Sequence, residues 1–414
     1  MKASLDVLEE VSRAITAGLS EGMYLKIALV SPDYFEPSGG IGTYCLQMAS
    51  YLAGRVDELH VFVKAGCPSG MQNYHRPIAL DHQNGLVLHE VDVPAGDPFI
   101  TTTHFQRRLA KCLPRHEFDI VHSLSHMLRL GKDREAVKVG TVHSTVDQQR
   151  SAIDQAAVPF WDLGQGEKWQ VILHPVLHWW EDLALSGYDH ILTVSNWMRS
   201  RIEPRIRPGS LSVLMNGVDS ARFVPSRKGN HEGDRVVLFV GRLTWSKGIM
   251  VLLRSIPLVL ERFQDANFIL AGPGDQIFLS RIANRIGIPG NRISFTGLVE
   301  WKQMPQLYMD SDIFVLPSFT ENMPFALLEA MSTALPVVAT PVGAIPEVVA
   351  SGKNSLFTEI GDSNGLAEAI CLLLSDRKLS SKIGLAARKT VVDRFDYLPI
   401  SKRLLEIYRS LHQS

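Results

Sequence analysis

The stretch FTENMPFALLEAMS, residues 319 to 332, sets two carboxylates, Glu321 and Glu329, on either side of an apolar run that contains Pro324. Just upstream, DIFVLPS reads as a short buried strand ending at Ser318, so Glu321 falls in the loop that follows. Pro324 suits the first turn of a helix, where its missing N–H costs nothing. The free N–H groups around Phe325 and Ala326 then offer an anion site, and Glu329 lies roughly 7 Å along the helix axis from Pro324. So placed, the carboxylates flank a helix start instead of facing one another. A sugar-nucleotide fits that layout, with phosphates at the helix start, ribose hydroxyls on one glutamate and sugar hydroxyls on the other. A carboxylate accepts hydrogen bonds from two adjacent hydroxyls, which an amide does less well. Read alone, the pair is equally well explained as solvated or helix-capping.

Two other motifs share this chemistry. VGRLTWSKG closes an apolar run with Arg242 and Lys247, a planar fork and a point charge that suit a diphosphate; a solvated face is the competing reading. SPDYFEPSGGIGTYCLQ follows the first apolar run, and its Gly39, Gly40 and Gly42 open a helix where backbone N–H groups can approach an anion. A glycine turn serving helix packing alone is the alternative. The dinucleotide fingerprint G-x-G-x-x-G is absent, which removes the main support for a nicotinamide-dependent dehydrogenase.

The elements that must position these residues are legible as short runs rich in Val, Ile and Phe. LKIALVS, ELHVFVKA, FDIVHS, VKVGTVHS and HILTVS come first, then VVLFVGRL, NFILAG, RISFTG, DIFVLPS and PVVATPV. Helical patterns separate them, such as Ile249, Leu252, Leu253, Ile256, Leu260 and Phe263, as expected of parallel sheets covered on both faces. The predicted fold class is α/β, with two Rossmann-like doubly wound parallel-sheet domains facing across a cleft. A chain of 414 residues exceeds what one core sustains. The polar stretch PSRKGNHEGDR, 225 to 235, is the expected linker. The predicted domains are therefore 23–225 and 226–396, with the helical segment 397–414 crossing back to the first. Residues 1–22 carry Leu5, Leu8, Val11, Ile15 and Leu19 at helical spacing among acids that exclude a signal peptide. They are expected to form a helical extension.

Composition narrows the partners. The chain is 45% hydrophobic and 21% charged, with 42 basic against 43 acidic residues, so no polyanion footprint and no nucleic acid partner is expected. Cys45, Cys67, Cys112 and Cys371 have no paired spacing, as in a cytoplasmic protein with reduced thiols. No apolar run is long enough to span a membrane. Asp310-Ser311-Asp312 spells a D-x-D motif but sits where a helix ends and a strand begins, and His174 and His178 are separated by Pro175 without the glutamate of a zinc helix. No metal is expected at either.

Taken in order, GGIGTY, TVHST, TVSNWM, NGVD, VGRLTWSKG, LAGPGD, FTGLV, PSFTENMPFALLEAM and PVGAIPEVV resemble glycosyltransferase family 4, the retaining group 1 enzymes of GT-B architecture. The resemblance covers nearly the whole chain from Met23. It implies Glu321 on the donor sugar, Glu329 on the ribose, Arg242 and Lys247 on the diphosphate, Gly40 beside the phosphates, His143 near the transferred sugar, and Leu298 near the base through backbone. It also implies a nucleotide-sugar donor, UDP favoured over GDP, and an acceptor held by the first domain. One departure stands out: many relatives have glycine or serine after the first glutamate and a Phe-Gly pair soon after, whereas this chain reads Glu321, Asn322, Met323, Pro324, Phe325. This is read as tuning of the donor pocket.

The expected reaction is transfer of a hexose-type sugar to a hydroxyl of a glycan, lipid-linked or small-molecule acceptor. Arg242, Lys247 and the helix start at Met323 to Ala326 would stabilise the departing diphosphate. No side chain is placed as a nucleophile, which favours front-face attack with retention. A catalytically silent sugar-nucleotide-binding protein is the alternative. Trp161, Trp169, Trp179 and Trp180 lie in the least motif-like part, where aromatic faces suit sugar rings and a core equally. Phe105, Leu109 and Cys112, with Arg107, Arg108, Lys111 and Arg115 around them, read as an ordinary amphipathic helix or as a peripheral membrane contact for a lipid acceptor at the inner membrane surface.

Overall fold

The apolar runs form two separate parallel sheets, seen in a computed structural model that describes residues 23–34, 39–65, 86–93, 98–113, 117–130, 135–226 and 235–413. The helical extension expected at 1–22, Cys67, Arg115 and most of the polar stretch (227–234) lie outside the described residues. The chain divides into two compact units. One takes the residues up to Thr145, Pro175–Met215 and the residues from Leu398; the other takes Val146–His174 and Asn216–Tyr397.

The first unit carries strands β1 (Met23–Val30), β2 (Val56–Lys64), β3 (Leu86–Val91), β4 (Ile120–Ser123), β5 (Val137–Val142), β6 (His190–Thr193) and β7 (Leu211–Val213). Their order in the sheet is β3-β2-β1-β4-β5-β6-β7, all parallel, with Ile27 of β1 opposite Leu59 of β2 and Ile120 of β4. Winding reverses between β1 and β4, and the crevice beyond the carboxyl ends of such a pair is where open α/β sheets hold ligands. The Gly40–Leu52 helix returns along the sheet and buries Tyr44, Cys45, Met48, Ala49 and Leu52.

The Pro98–Cys112 helix settles one question left open by its sequence. Phe105 and Leu109 are buried in a cluster with Phe62, Val91, Phe118 and Val121, while Arg107, Arg108 and Lys111 are exposed. Its apolar side covers the sheet, in keeping with the ordinary amphipathic reading of this helix. Among the described residues no helix is long and apolar enough to cross a membrane.

The second unit carries β8 (Arg235–Val240), β9 (Ala266–Ala271), β10 (Ile293–Gly297), β11 (Ile313–Leu316), β12 (Val337–Ala339) and β13 (Leu356–Phe357) in the order β10-β9-β8-β11-β12-β13, again all parallel. Val237 of β8 faces Phe268 of β9 and Ile313 of β11, and all four residues of β11 are buried. The Ile249–Arg262 helix packs Ile249, Leu252, Leu253, Ile256 and Val259 into this core. Here the winding reverses between β8 and β11, the strands whose ends carry Arg242 and Glu321.

The crossing into the second unit differs from the expected linker at 225–235. It falls at Met215/Asn216, because the segment after it is bonded within the second unit. Asn216 Nδ2 donates to Met323 O (2.7 Å), Val218 N to Phe395 O (2.9 Å) and Ser332 Oγ to Phe223 O (2.7 Å). Strands β3, β7 and β13 were not expected. The last two hold only three and two residues, too few for a periodicity to show.

Candidate functional site

In the second unit, three loops converge beyond the ends of β8, β11 and β12. After β8 the chain makes a short 3-10 turn at Trp245–Lys247 and enters the next helix through Gly248, whose φ is +72°. A Cβ there would lie 1.9 Å from Pro317 O, so only glycine allows this close approach. Ser246 O accepts from Phe319 N at 2.9 Å. On the far side Gly343, with φ +57°, packs against the backbone of Glu321, where a Cβ would meet Glu321 O at 1.7 Å. The loop carrying Glu321 is thus held between two backbone contacts.

Within it, Glu321 is 5% exposed. Its Oε1 accepts from Lys247 Nζ at 2.7 Å and from Ser318 Oγ at 2.8 Å. The structure therefore brings Glu321 and Lys247, read as separate sugar and phosphate ligands, into one ion pair. Lys247 keeps part of its side chain exposed. Arg242 is exposed, and its charge acts on the carboxylate of Glu167, which burial otherwise pushes up.

The next helix is Phe325–Ser332. Pro324 precedes it as an extended N-cap (φ −73°, ψ 127°), one residue earlier than the first-turn position expected. No side chain caps this helix start, which leaves backbone N–H groups there for an anion. Asn322, Met323 and Phe325 are buried, while Pro324 and Ala326 are half-buried. What this stretch can present to a ligand is mainly backbone.

Glu329 is buried behind the helix start, and the Tyr308 hydroxyl donates to its Oε2 at 2.7 Å. Burial raises its pKa to about 7, against the opposing pull of the Tyr308 hydrogen bond and the Arg222 charge. The Tyr308 phenol is held well above its usual range by burial and by the same carboxylate. Arg222 is fixed by stacking over Trp301 and donating to Trp301 O at 2.9 Å. Leu298 is half-buried just past β10.

In the first unit the glycine turn opens the Gly40–Leu52 helix after β1. Gly39 is its extended N-cap with no side-chain cap, Gly39 and Gly40 are exposed and Gly42 is buried. His143 lies just past β5, half-buried, with its ring edge-on to Tyr44 at 5.0 Å. Desolvation, with repulsion from His126, lowers its pKa to about 3, so the ring is neutral at ordinary pH.

Behind it lie two polar clusters that sequence reading missed. His122 is fully buried, with Nδ1 2.5 Å from the Tyr408 hydroxyl and Nε2 2.7 Å from Thr141 Oγ1. Glu181, also fully buried, pairs with His126 Nε2 (2.8 Å) and Arg205 (2.7 Å). Burial pushes its pKa up, but the bonds and charges of His126 and Arg205 outweigh this and hold it at about 2. Only the spacing HSLSH and an acid inside the apolar run WWEDLAL hinted at these groups.

The D-x-D aspartates and the two histidines of the Gln165–Leu185 helix each have protein partners. Asp312 accepts from Val236 N at 2.8 Å, and Asp310 from Gln306 at 2.7 Å. His174 pairs with Asp147 (3.0 Å) and His178 with Asp182 (3.6 Å) along a helix, Gln165–Leu185, that runs through Pro175. Among the described residues no group of three or more His, Cys, Asp or Glu could hold a metal ion. Cys45, Cys112 and Cys371 are free thiols. Of the tryptophans, Trp161, Trp169 and Trp179 are exposed, whereas Trp180 donates to Met127 O at 3.0 Å.

Comparison with known proteins agrees with this architecture. Residues 38–222 match the family described as Glycosyltransferase Family 4, and residues 234–376 the family described as Glycosyl transferases group 1. The chain is 30% identical over 268 residues to the alpha-maltose-1-phosphate synthase of Mycolicibacterium smegmatis, covering 58% of this chain and 67% of that one. It is 26% identical over 404 residues to the phosphatidyl-myo-inositol mannosyltransferase of the same organism, covering 94% of each. HepE of Anabaena, crystallised with UDP and glucose, superposes with a TM-score of 0.66 at 19% identity, covering 94% of this chain and 100% of that one. The two parallel-sheet units are those of the GT-B fold, and the chain belongs to the family-4, group 1 glycosyltransferases.

Proposed function

We propose that this glycosyltransferase moves a hexose-type sugar from a nucleoside-diphosphate sugar, UDP in preference to GDP, to a hydroxyl of a glycan, lipid-linked or small-molecule acceptor. The observation that carries this reading is the Lys247–Glu321 pair, 2.7 Å apart, in a loop leading to a helix start no side chain caps, with buried Glu329 behind it. Lys247, Arg242 and the backbone from Met323 to Ala326 take the diphosphate, whose negative charge grows as the sugar leaves. Glu321, paired with Lys247, takes the sugar hydroxyls, and Glu329 takes the ribose hydroxyls. Leu298 meets the base. The resemblance to the family assigns Gly40 to the phosphates and His143 to the transferred sugar, and Gly42 is proposed as a further donor contact of the same glycine turn; as a neutral ring, His143 would act by hydrogen bonding, not by charge. That HepE was crystallised with UDP and glucose supports a UDP-sugar.

Among the described residues assigned to the donor, no side chain is set as a nucleophile, which supports front-face attack with retention, the leaving phosphate accepting the acceptor's proton. The proposal includes no metal, the diphosphate being assigned to protein cations and backbone N–H groups. It places the enzyme in the cytoplasm, at the inner membrane surface where the acceptor is lipid-linked. The test is thermal stabilisation by a panel of UDP-, GDP- and ADP-sugars on wild type and Glu329→Ala. A ligand at 100 times its dissociation constant adds about 2.7 kcal/mol. Stabilisation by one nucleotide class, lost in the mutant, supports the reading; no stabilisation by any of them overturns it. Product anomer by NMR tests retention, and turnover after chelation tests metal independence.

A further inference from the structure

The segment 146–174 follows β5 of the first unit in the chain, yet belongs to the second unit. It is tied together internally. Arg150 Nε bonds both oxygens of Asp154 (3.1 and 3.0 Å) and its NH1 donates to Val171 O (3.3 Å). Gln170 bonds Gln149 (2.6 Å), and His174 pairs with Asp147 (3.0 Å). One side chain of this cross-tied piece reaches a donor loop. Buried Gln148, on the Val146–Gln155 helix, donates from Nε2 to Thr320 Oγ1 at 2.8 Å, and Thr320 is the neighbour of Glu321.

We propose that Gln148 is a positioning residue of the donor half-site, holding the β11 loop so that Glu321 meets Lys247. The proposal rests on the donor reading above. Gln148 acts through Thr320 on Glu321, the sugar ligand. Because the segment that carries Gln148 is cross-tied, its displacement is resisted. Its side chain need not touch the donor.

The distinction from a merely structural role lies in what each loss moves. Gln148→Leu removes the amide and keeps comparable bulk; Thr320→Val removes the same bond from the other side and serves if Gln148→Leu does not fold. A lost hydrogen bond of this kind changes an equilibrium by about fivefold to tenfold. The expected result in full-length protein is therefore a rise of about that size in the Kd and KM for the UDP-sugar, with the Kd for UDP alone unchanged. The double variant should show no further loss, since both substitutions delete one interaction. Wild-type kinetics for Gln148→Leu and Thr320→Val would overturn the inference and leave the donor site standing. Additive losses in the double variant, or equal weakening of UDP and UDP-sugar, would overturn the role assigned to Gln148. Failure of wild type to bind any nucleotide sugar would instead overturn the donor reading.

Discussion

Donor affinity should depend on pH through one carboxyl group. Glu329 has a pKa of about 7 because it is buried, and its assigned partner is a pair of ribose hydroxyls, both donors. Ionised, it can accept from both; protonated, one oxygen becomes a donor and the match is lost. If only the ionised form binds, the apparent Kd scales with one plus the ratio of protonated to ionised Glu329. That factor is near one at about pH 8 and about eleven at about pH 6, a roughly tenfold loss of affinity, or about 1.4 kcal/mol. The ligand should be a nucleotide sugar, not the free diphosphate, because a terminal phosphate has its own ionisation near pH 6. Calorimetric titration across this range, on wild type and Glu329→Gln, separates this carboxyl from histidines that titrate nearby. The variant should bind about tenfold more weakly at high pH, having lost charge-assisted bonds, and should lose the pH dependence. Tyr308→Phe removes a bond that lowers the pKa of Glu329, so its midpoint should move upward. A wild-type profile that is flat, or one whose slope survives in Glu329→Gln, would refute the assignment.

Stability should fall in acid in two stages. His122, held neutral by burial with its pKa lowered from 6.5 to about 3, resists a proton that the unfolded chain accepts, so stability declines as pH drops from 6.5 toward 3. Glu181, held at about 2 against 4.5, contributes stability that is lost as pH falls through that interval. Glu329 acts in the opposite sense, its raised pKa giving stability that fades as pH rises from 4.5 to about 7. Denaturant midpoints measured across pH should show the first two slopes weakened in His122→Asn and Glu181→Gln. Gly343→Ala should cost about 2–4 kcal/mol in chemical unfolding, since its Cβ meets Glu321 O at 1.7 Å and its φ is +57°. Lys247→Ala should lower kcat by about a hundredfold or more, measured as released nucleoside diphosphate. It should also cost about 1–3 kcal/mol of stability, because Glu321 is left buried without its cation.

The sequence made the sheets legible because parallel strands buried on both faces appear as unbroken apolar runs. The motifs were legible because their loops lie where such strands end. Glu321, Glu329, Arg242 and Lys247 could be picked out on that basis. Their pairing could not. Nothing in VGRLTWSKG or FTENMPFALLEAMS says that Lys247 and Glu321 meet, since 74 residues separate them and the contact depends on Gly248 passing under Pro317. Tyr308, which fixes Glu329, sits in MPQLYM as an unremarked aromatic. The His126–Glu181–Arg205 cluster is assembled from three elements, and its burial belongs to the fold and not to any local pattern. The unit boundary was misread for a related reason. Charge and glycine mark exposed chain, and the crossing at Met215/Asn216 is set by bonds to residues more than 100 positions away.

The last helix gives the first unit a particular order of assembly. Leu404, Leu405, Ile407 and Tyr408 are buried, and Tyr408 meets His122 in the first unit. On a ribosome these residues emerge after every strand of the second unit. Until then His122 lacks its Tyr408 partner, and the apolar face that will receive this helix faces water. The first unit is therefore completed last although its strands are made first, and the nascent chain carries its sheet without this helix throughout synthesis of the second. A free-standing first unit should accordingly need Met215 joined to Leu398 by a linker, since residues 23–215 alone end before the piece that closes them.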